Sequence, residues 1–127
     1  MTHARRAIVV TGVLLPYLAR LPGGLEWLAQ YTAAGALGFL LLGVLNAITW
    51  GSVLAWTAVY RRPALLVLPA AAGFGFAGYW HYTLDLASDP NAAIGVAVIP
   101  FWSLVPVALA GGVGYLLDRH PGKGDNR

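Results

Sequence analysis

The sequence has 127 residues, of which 58% are hydrophobic and 10% charged, with a formal charge of +3 and no cysteine. With a mean hydropathy of +0.67, this composition excludes an ordinary soluble domain, and the missing cysteine excludes a disulfide framework, a thiolate nucleophile and a Cys-based metal site. The basic residues sit in short connections and the tail rather than in one solvated cluster, so they read as membrane-orientation signals and not as a nucleic-acid surface.

In chain order, Arg5 and Arg6 precede an apolar run from Ala7 to Ala19. A basic start before a short apolar run fits a secretory signal as well as a short span. Tyr17 would lie three residues before a cut at Ala19, where a small residue is wanted, which favours a retained first span over about residues 5–21. Arg5, Arg6 and Arg20 are then expected to snorkel to the interfaces, with Pro16 bending the far end.

The Pro22-Gly23-Gly24 turn separates this span from residues 25–32, where Glu26 and Gln30 lie among Leu25, Trp27, Leu28 and Tyr31. If that segment ran unbroken to Tyr60, the helix would measure about 54 Å, too long to cross without extreme tilt. A short interfacial helix over 25–32 is therefore expected, with Trp27 and Tyr31 at headgroup level.

The central stretch, Gly35 to Tyr60, carries no charge. At about 1.5 Å per residue it is roughly 39 Å long, enough to cross a ~30 Å hydrocarbon core with some tilt. Gly43, Ala47, Gly51 and Ala55 recur every fourth residue and predict a groove of small side chains where another helix can pack. Asn46, with Thr49 and Ser52 nearby, is a candidate for a polar pathway or for a hydrogen bond between helices. The second of these is the commoner outcome for an intramembrane amide.

After Arg61 and Arg62, Pro63 is suited to open the next helix, expected over 64–84. Pro69 with Gly73, Gly75 and Gly78 makes that span bendable, and Tyr79, Trp80 and Tyr82 around His81 form an interface-like aromatic girdle. Asp89 is expected to cap the fourth span over 91–117, with Pro90 as its first helical residue. Pro100 and Pro106 should kink this span by freeing the carbonyls of Val96 and Trp102, one of which Ser103 is placed to satisfy. The tail, residues 119–127, is expected to be disordered and cytoplasmic.

His81, Asp85 and Asp89 are spaced four apart, the spacing for a metal or proton site on one continuous helix. Capping and interfacial anchoring explain them more simply, so His81 and Asp85 form only a weak candidate cluster. No catalytic residues, metal site or cofactor are assigned. In size and four-span layout the chain is similar to small multidrug-resistance transporters and dual-topology fluoride channels. The resemblance ends at size, because the first-span carboxylate of those transporters has no counterpart in Ala7 to Ala19.

The expected fold class is all-α, a polytopic integral membrane protein with four transmembrane helices and one interfacial helix. Four spans bring seven of the eight Lys and Arg residues to one side and leave Arg20 opposite with Glu26, Asp85 and Asp89. That predicts cytoplasmic termini, in a bacterial inner membrane. The expected role is non-enzymatic: helix packing in a homo-oligomer or as an accessory subunit of another membrane protein, with the lipid bilayer as solvent and no nucleic-acid partner. The alternative is an oligomeric transporter or channel for a small solute.

Overall fold

The computed structural model describes residues 1–120, and within these every regular element is helical. The elements are α1 (Thr2–Leu18), α2 (Leu25–Thr32), α3 (Gly35–Ala55), α4 (Val67–Thr83) and α5 (Ala92–Arg119). Short 3₁₀ turns extend α3 over Trp56–Ala58 and lead into α4 over Pro63–Leu66. Three stretches are long and apolar enough to cross a membrane: Gly35–Ala58, Pro63–Thr83 and Ala92–Arg119. The chain is accordingly an all-helical protein with the character of a membrane protein. At 17 residues, α1 is shorter than those three.

The side-chain contacts fix the topology. Arg5 on α1 reaches Thr57 beyond the end of α3, while Asn46 near the middle of α3 reaches Gly12, so these two helices run antiparallel. Thr49 meets Ser103 and Tyr60 meets Gly111, which makes α3 and α5 parallel. Gly73 lies against Val107 and Gly95 against Leu84, so α4 and α5 are antiparallel. The result is a four-helix bundle with Ile8, Val53, Tyr60, Leu66 and Val107 in its core. Close approach is obtained by setting aromatic rings on glycines. Trp50 covers Gly12 and Trp56 covers Gly111 so closely that a methyl group on either glycine would overlap the ring.

The breaks follow local chemistry. Gly35 has φ +61, a left-handed conformation that L side chains disfavour, and it opens α3 after the break at Ala33 and Ala34. Pro63 opens the 3₁₀ turn before α4. Pro69, expected to bend its span, is the third residue of α4, in a first turn where a missing N–H breaks no intrahelical bond. Asp89 does not cap α5 as expected. Its carboxylate accepts from the amide of Asn91 at 2.9 Å in a local turn, and the helix starts after Asn91. From there α5 is helical through both Pro100 and Pro106 to Arg119, so Asp118 and Arg119 belong to the helix. The expected disorder of the tail from residue 121 onward concerns residues outside those described.

Candidate functional site

Arg20, expected at the interface, has 0% of its surface exposed. It lies just beyond the end of α1, and its guanidinium is surrounded by neutral acceptors. Nε donates to Trp27 O at 2.8 Å, Nη1 to His81 O and Leu84 O at 2.7 Å each, and Nη2 to Gln30 Oε1 at 2.7 Å. Its Cζ stands 4.1 Å from the Tyr31 ring centroid and 4.4 Å from that of Trp27, both within cation–π range.

The reason for this burial is the end of α4. The last carbonyls of a helix have no intrahelical donor and carry the negative end of its dipole. Here His81 O is taken by Arg20 and Tyr82 O by Trp27 Nε1 at 2.7 Å. Residues from the α1–α2 connection and from α2 thus cap a helix that begins some forty residues downstream. Nothing in the local sequence marks this node, because Arg20 stands at the end of an apolar run, where snorkelling to the interface is the ordinary expectation.

The network continues outward. Gln30 Oε1 also accepts from Leu86 N at 2.8 Å, and Gln30 Nε2 donates to Asp85 Oδ1 at 3.0 Å. Asp85 further accepts from Ser88 Oγ at 2.6 Å and Ala87 N at 3.0 Å. Hydrogen bonds from Ser88 and then Gln30 hold its carboxyl below the usual carboxylate range. His81 is 1% exposed rather than interfacial, and its Nδ1 lies 2.8 Å from the Tyr31 hydroxyl. Burial is the main cause that pushes the Tyr31 phenol up to about 12, against a smaller opposing effect of Arg20. His81 and Asp85 therefore belong to one network but face different partners. Among the described residues no three His, Cys, Asp or Glu side chains converge as metal ligands.

The opposite end has a mirror-image device. Asp118, its side chain 0% exposed, accepts from the backbone amides of Arg61 at 2.9 Å and Arg62 at 3.0 Å and from Arg62 Nε at 3.3 Å. Arg62 also donates to Leu117 O, and Arg119 to Val59 O at 3.4 Å. The α3–α4 connection is thereby tied to the end of α5.

Between the two ends lies the polar seam of α3. Asn46, buried, donates to Gly12 O. That carbonyl lacks its helical donor because residue 16, four positions on, is proline. Thr49 Oγ1 and Ser103 Oγ are 2.9 Å apart, and Ser103 Oγ lies 2.6 Å from Pro100 O, not on the carbonyls freed by the two prolines of α5. Ser52 donates to Thr49 O of its own helix at 2.7 Å.

The inner face of α3 is Leu42, Asn46, Thr49 and Val53. Gly43 and Ala55 are exposed, Ala47 and Gly51 half-buried, and a Cβ built on Gly43 or Gly51 would meet nothing within 4 Å. The small-residue face thus takes no part in closing the chain's own bundle at those two glycines. Compared with known protein families, curated proteins and solved structures, the chain matches none.

Proposed function

We propose that this protein is a small non-enzymatic membrane subunit that works by helix packing, as a homo-oligomer or as an accessory to another membrane protein. The observation that carries the reading is the outward face of α3. In lipid, helices associate through small residues that let backbones approach. This chain spaces Gly43, Ala47, Gly51 and Ala55 four apart along its most central span and leaves the two glycines open.

The same proposal has all four long helices crossing the bilayer, with α2 at the interface. In support, Arg5 on α1 reaches Thr57, past the end of α3, and Arg20, just beyond α1, reaches Leu84 O at the end of α4. The segment from Arg5 to Arg20 therefore has side-chain contacts at both ends of the bundle. Arg5, Arg62 and Arg119 gather at the end that holds Thr57 and Asp118. By the positive-inside rule that end, with both termini, faces the cytoplasm, and the membrane is the inner membrane of a bacterium. The transporter alternative is less favoured, since the Asn46 amide is engaged in closing α3 on α1.

The test is Gly51→Leu. The added side chain enters open space in the single chain, so fold and helicity are retained. Association in mild detergent, read as intact mass under conditions that preserve complexes, weakens by about tenfold or more, the effect of overpacking a close contact. Unchanged assembly would remove this face from the interface.

A further inference from the structure

On another side of the bundle, α4 and α5 leave a groove of about 400 Å³ between Phe76, Trp80 and Leu84 on one wall and Gly95, Val98 and Trp102 on the other. Its Leu84 and Gly95 end lies beside the 84–91 connection that joins the two helices. From there to Phe76 and Trp102 it runs about 12 Å along the helices. Trp80 is 43% exposed and Trp102 62%, so the groove opens sideways, toward hydrocarbon if α4 and α5 span a bilayer. An apolar chain lying in it exchanges one hydrocarbon surround for another, and preference must come from the polar group that the chain carries at the connection end.

The accessible charge on the elements at this end of the bundle has one sign. Arg20 is the only Lys or Arg between Arg6 and Arg61, and it is fully buried under Trp27, Tyr31 and the end of α4. Asp89 and Glu26 remain exposed, and Asp85 is half-buried with its carboxylate held by Ser88 and Gln30. An aromatic-walled groove beside a connection that carries the exposed Asp89 carboxylate, with no accessible cation at this end of the described chain, complements a lipid with a positively charged group at its head.

We propose that the α4–α5 groove seats an acyl chain of a phospholipid whose headgroup carries an ammonium, and disfavours phospholipids of net negative charge. The proposal rests on the membrane reading alone. It does not depend on the α3 face, and Gly51→Leu leaves it untouched.

The experiment uses the full chain in mild detergent, titrated with phosphatidylethanolamine or phosphatidylglycerol of identical acyl chains, with retained lipid counted by native mass spectrometry. One charge near a membrane surface changes lipid affinity by about fivefold. Retention of phosphatidylethanolamine is therefore expected to exceed that of phosphatidylglycerol by roughly tenfold and to fall to about twofold in Asp89→Asn. Trp80→Ala, which removes a wall of the groove while helicity is monitored by circular dichroism, lowers retention of both lipids. Equal or greater retention of phosphatidylglycerol by the unaltered protein overturns the proposal. So does a headgroup preference unchanged in Asp89→Asn, or full retention of both lipids by folded Trp80→Ala.

Discussion

The two ends of the bundle solve the same problem with opposite charges. At one end a cation, Arg20, is buried among neutral carbonyls and a side-chain amide, with its nearest linked carboxylate, Asp85, one hydrogen bond further out through Gln30. At the other an anion, Asp118, is buried against two backbone amides and one guanidinium. Each satisfies polar backbone that the end of a helix or a connection would otherwise leave unpaired. The difference lies in reach. Arg20 joins the α1–α2 connection, α2 and the end of α4, whereas Asp118 joins a single connection to the helix that carries it. Removing the first should therefore loosen more of the molecule than removing the second.

The largest expected effect is that of Arg20→Ala. It strips donors from Trp27 O, His81 O, Leu84 O and Gln30 together, and hydrogen bonds from a charged donor are worth about 1.5–3 kcal/mol each before relaxation. A net loss on the order of 3–5 kcal/mol is expected, read as a lowered Tm in detergent. Arg20→Lys should recover little, because an ammonium on a flexible stem cannot reproduce the planar fork that reaches these acceptors. Full recovery by lysine would show that charge alone, and not the fork, holds this end.

Asp118→Asn comes next and tests the other end. One oxygen remains for the Arg61 and Arg62 amides, but the charge opposite Arg62 is gone. Tm should fall by clearly less than in Arg20→Ala, and hydrogen exchange should quicken at Arg61 and Arg62 while the Tyr31–His81 end keeps its protection. An equal or larger fall in Tm would reverse the ranking of the two ends.

The smallest effect is one of pH, and its largest part is expected at the Arg20 end. The Tyr31 phenol titrates near 10 when unfolded and is pushed up to about 12 when folded. Its contribution is thus fully present below about pH 10 and is lost as pH rises through 12. A fall in Tm over that alkaline window, smaller in Tyr31→Phe, is the expected result. No such fall in the unaltered protein would mean that Tyr31 is more hydrated than its packing against His81 and Arg20 implies.

Much of the fold is legible in the sequence because its determinants are local. The uncharged run from Gly35 to Tyr60, the Pro22-Gly23-Gly24 turn, the break before Gly35 and the start at Pro63 each announce themselves within a few residues. The partners of the polar residues are not legible in the same way. Nothing near Arg20 indicates that its acceptors lie 61 and 64 residues away, or that Trp27 will take the carbonyl of Tyr82. The pairing of Asn46 with Gly12 was signalled in principle, since Pro16 requires some donor to replace its own missing N–H. His81 looked interfacial because its sequence neighbours are. Tyr79 and Tyr82 do face outward, but His81 lies on the opposite side of the same turn, buried against Tyr31.

The separation between Arg20 and its acceptors also bears on the order in which the molecule is made. Two of its four hydrogen bonds run to His81 O and Leu84 O, which leave the ribosome long after α1, α2 and α3. Until α4 arrives, the guanidinium has no carbonyls of that helix to enter, and a charge without partners stays with water. The N-terminal half thus waits in an unfinished state with Arg20 hydrated. Withdrawal of that side chain from water marks the moment at which the fourth helix of the chain is docked.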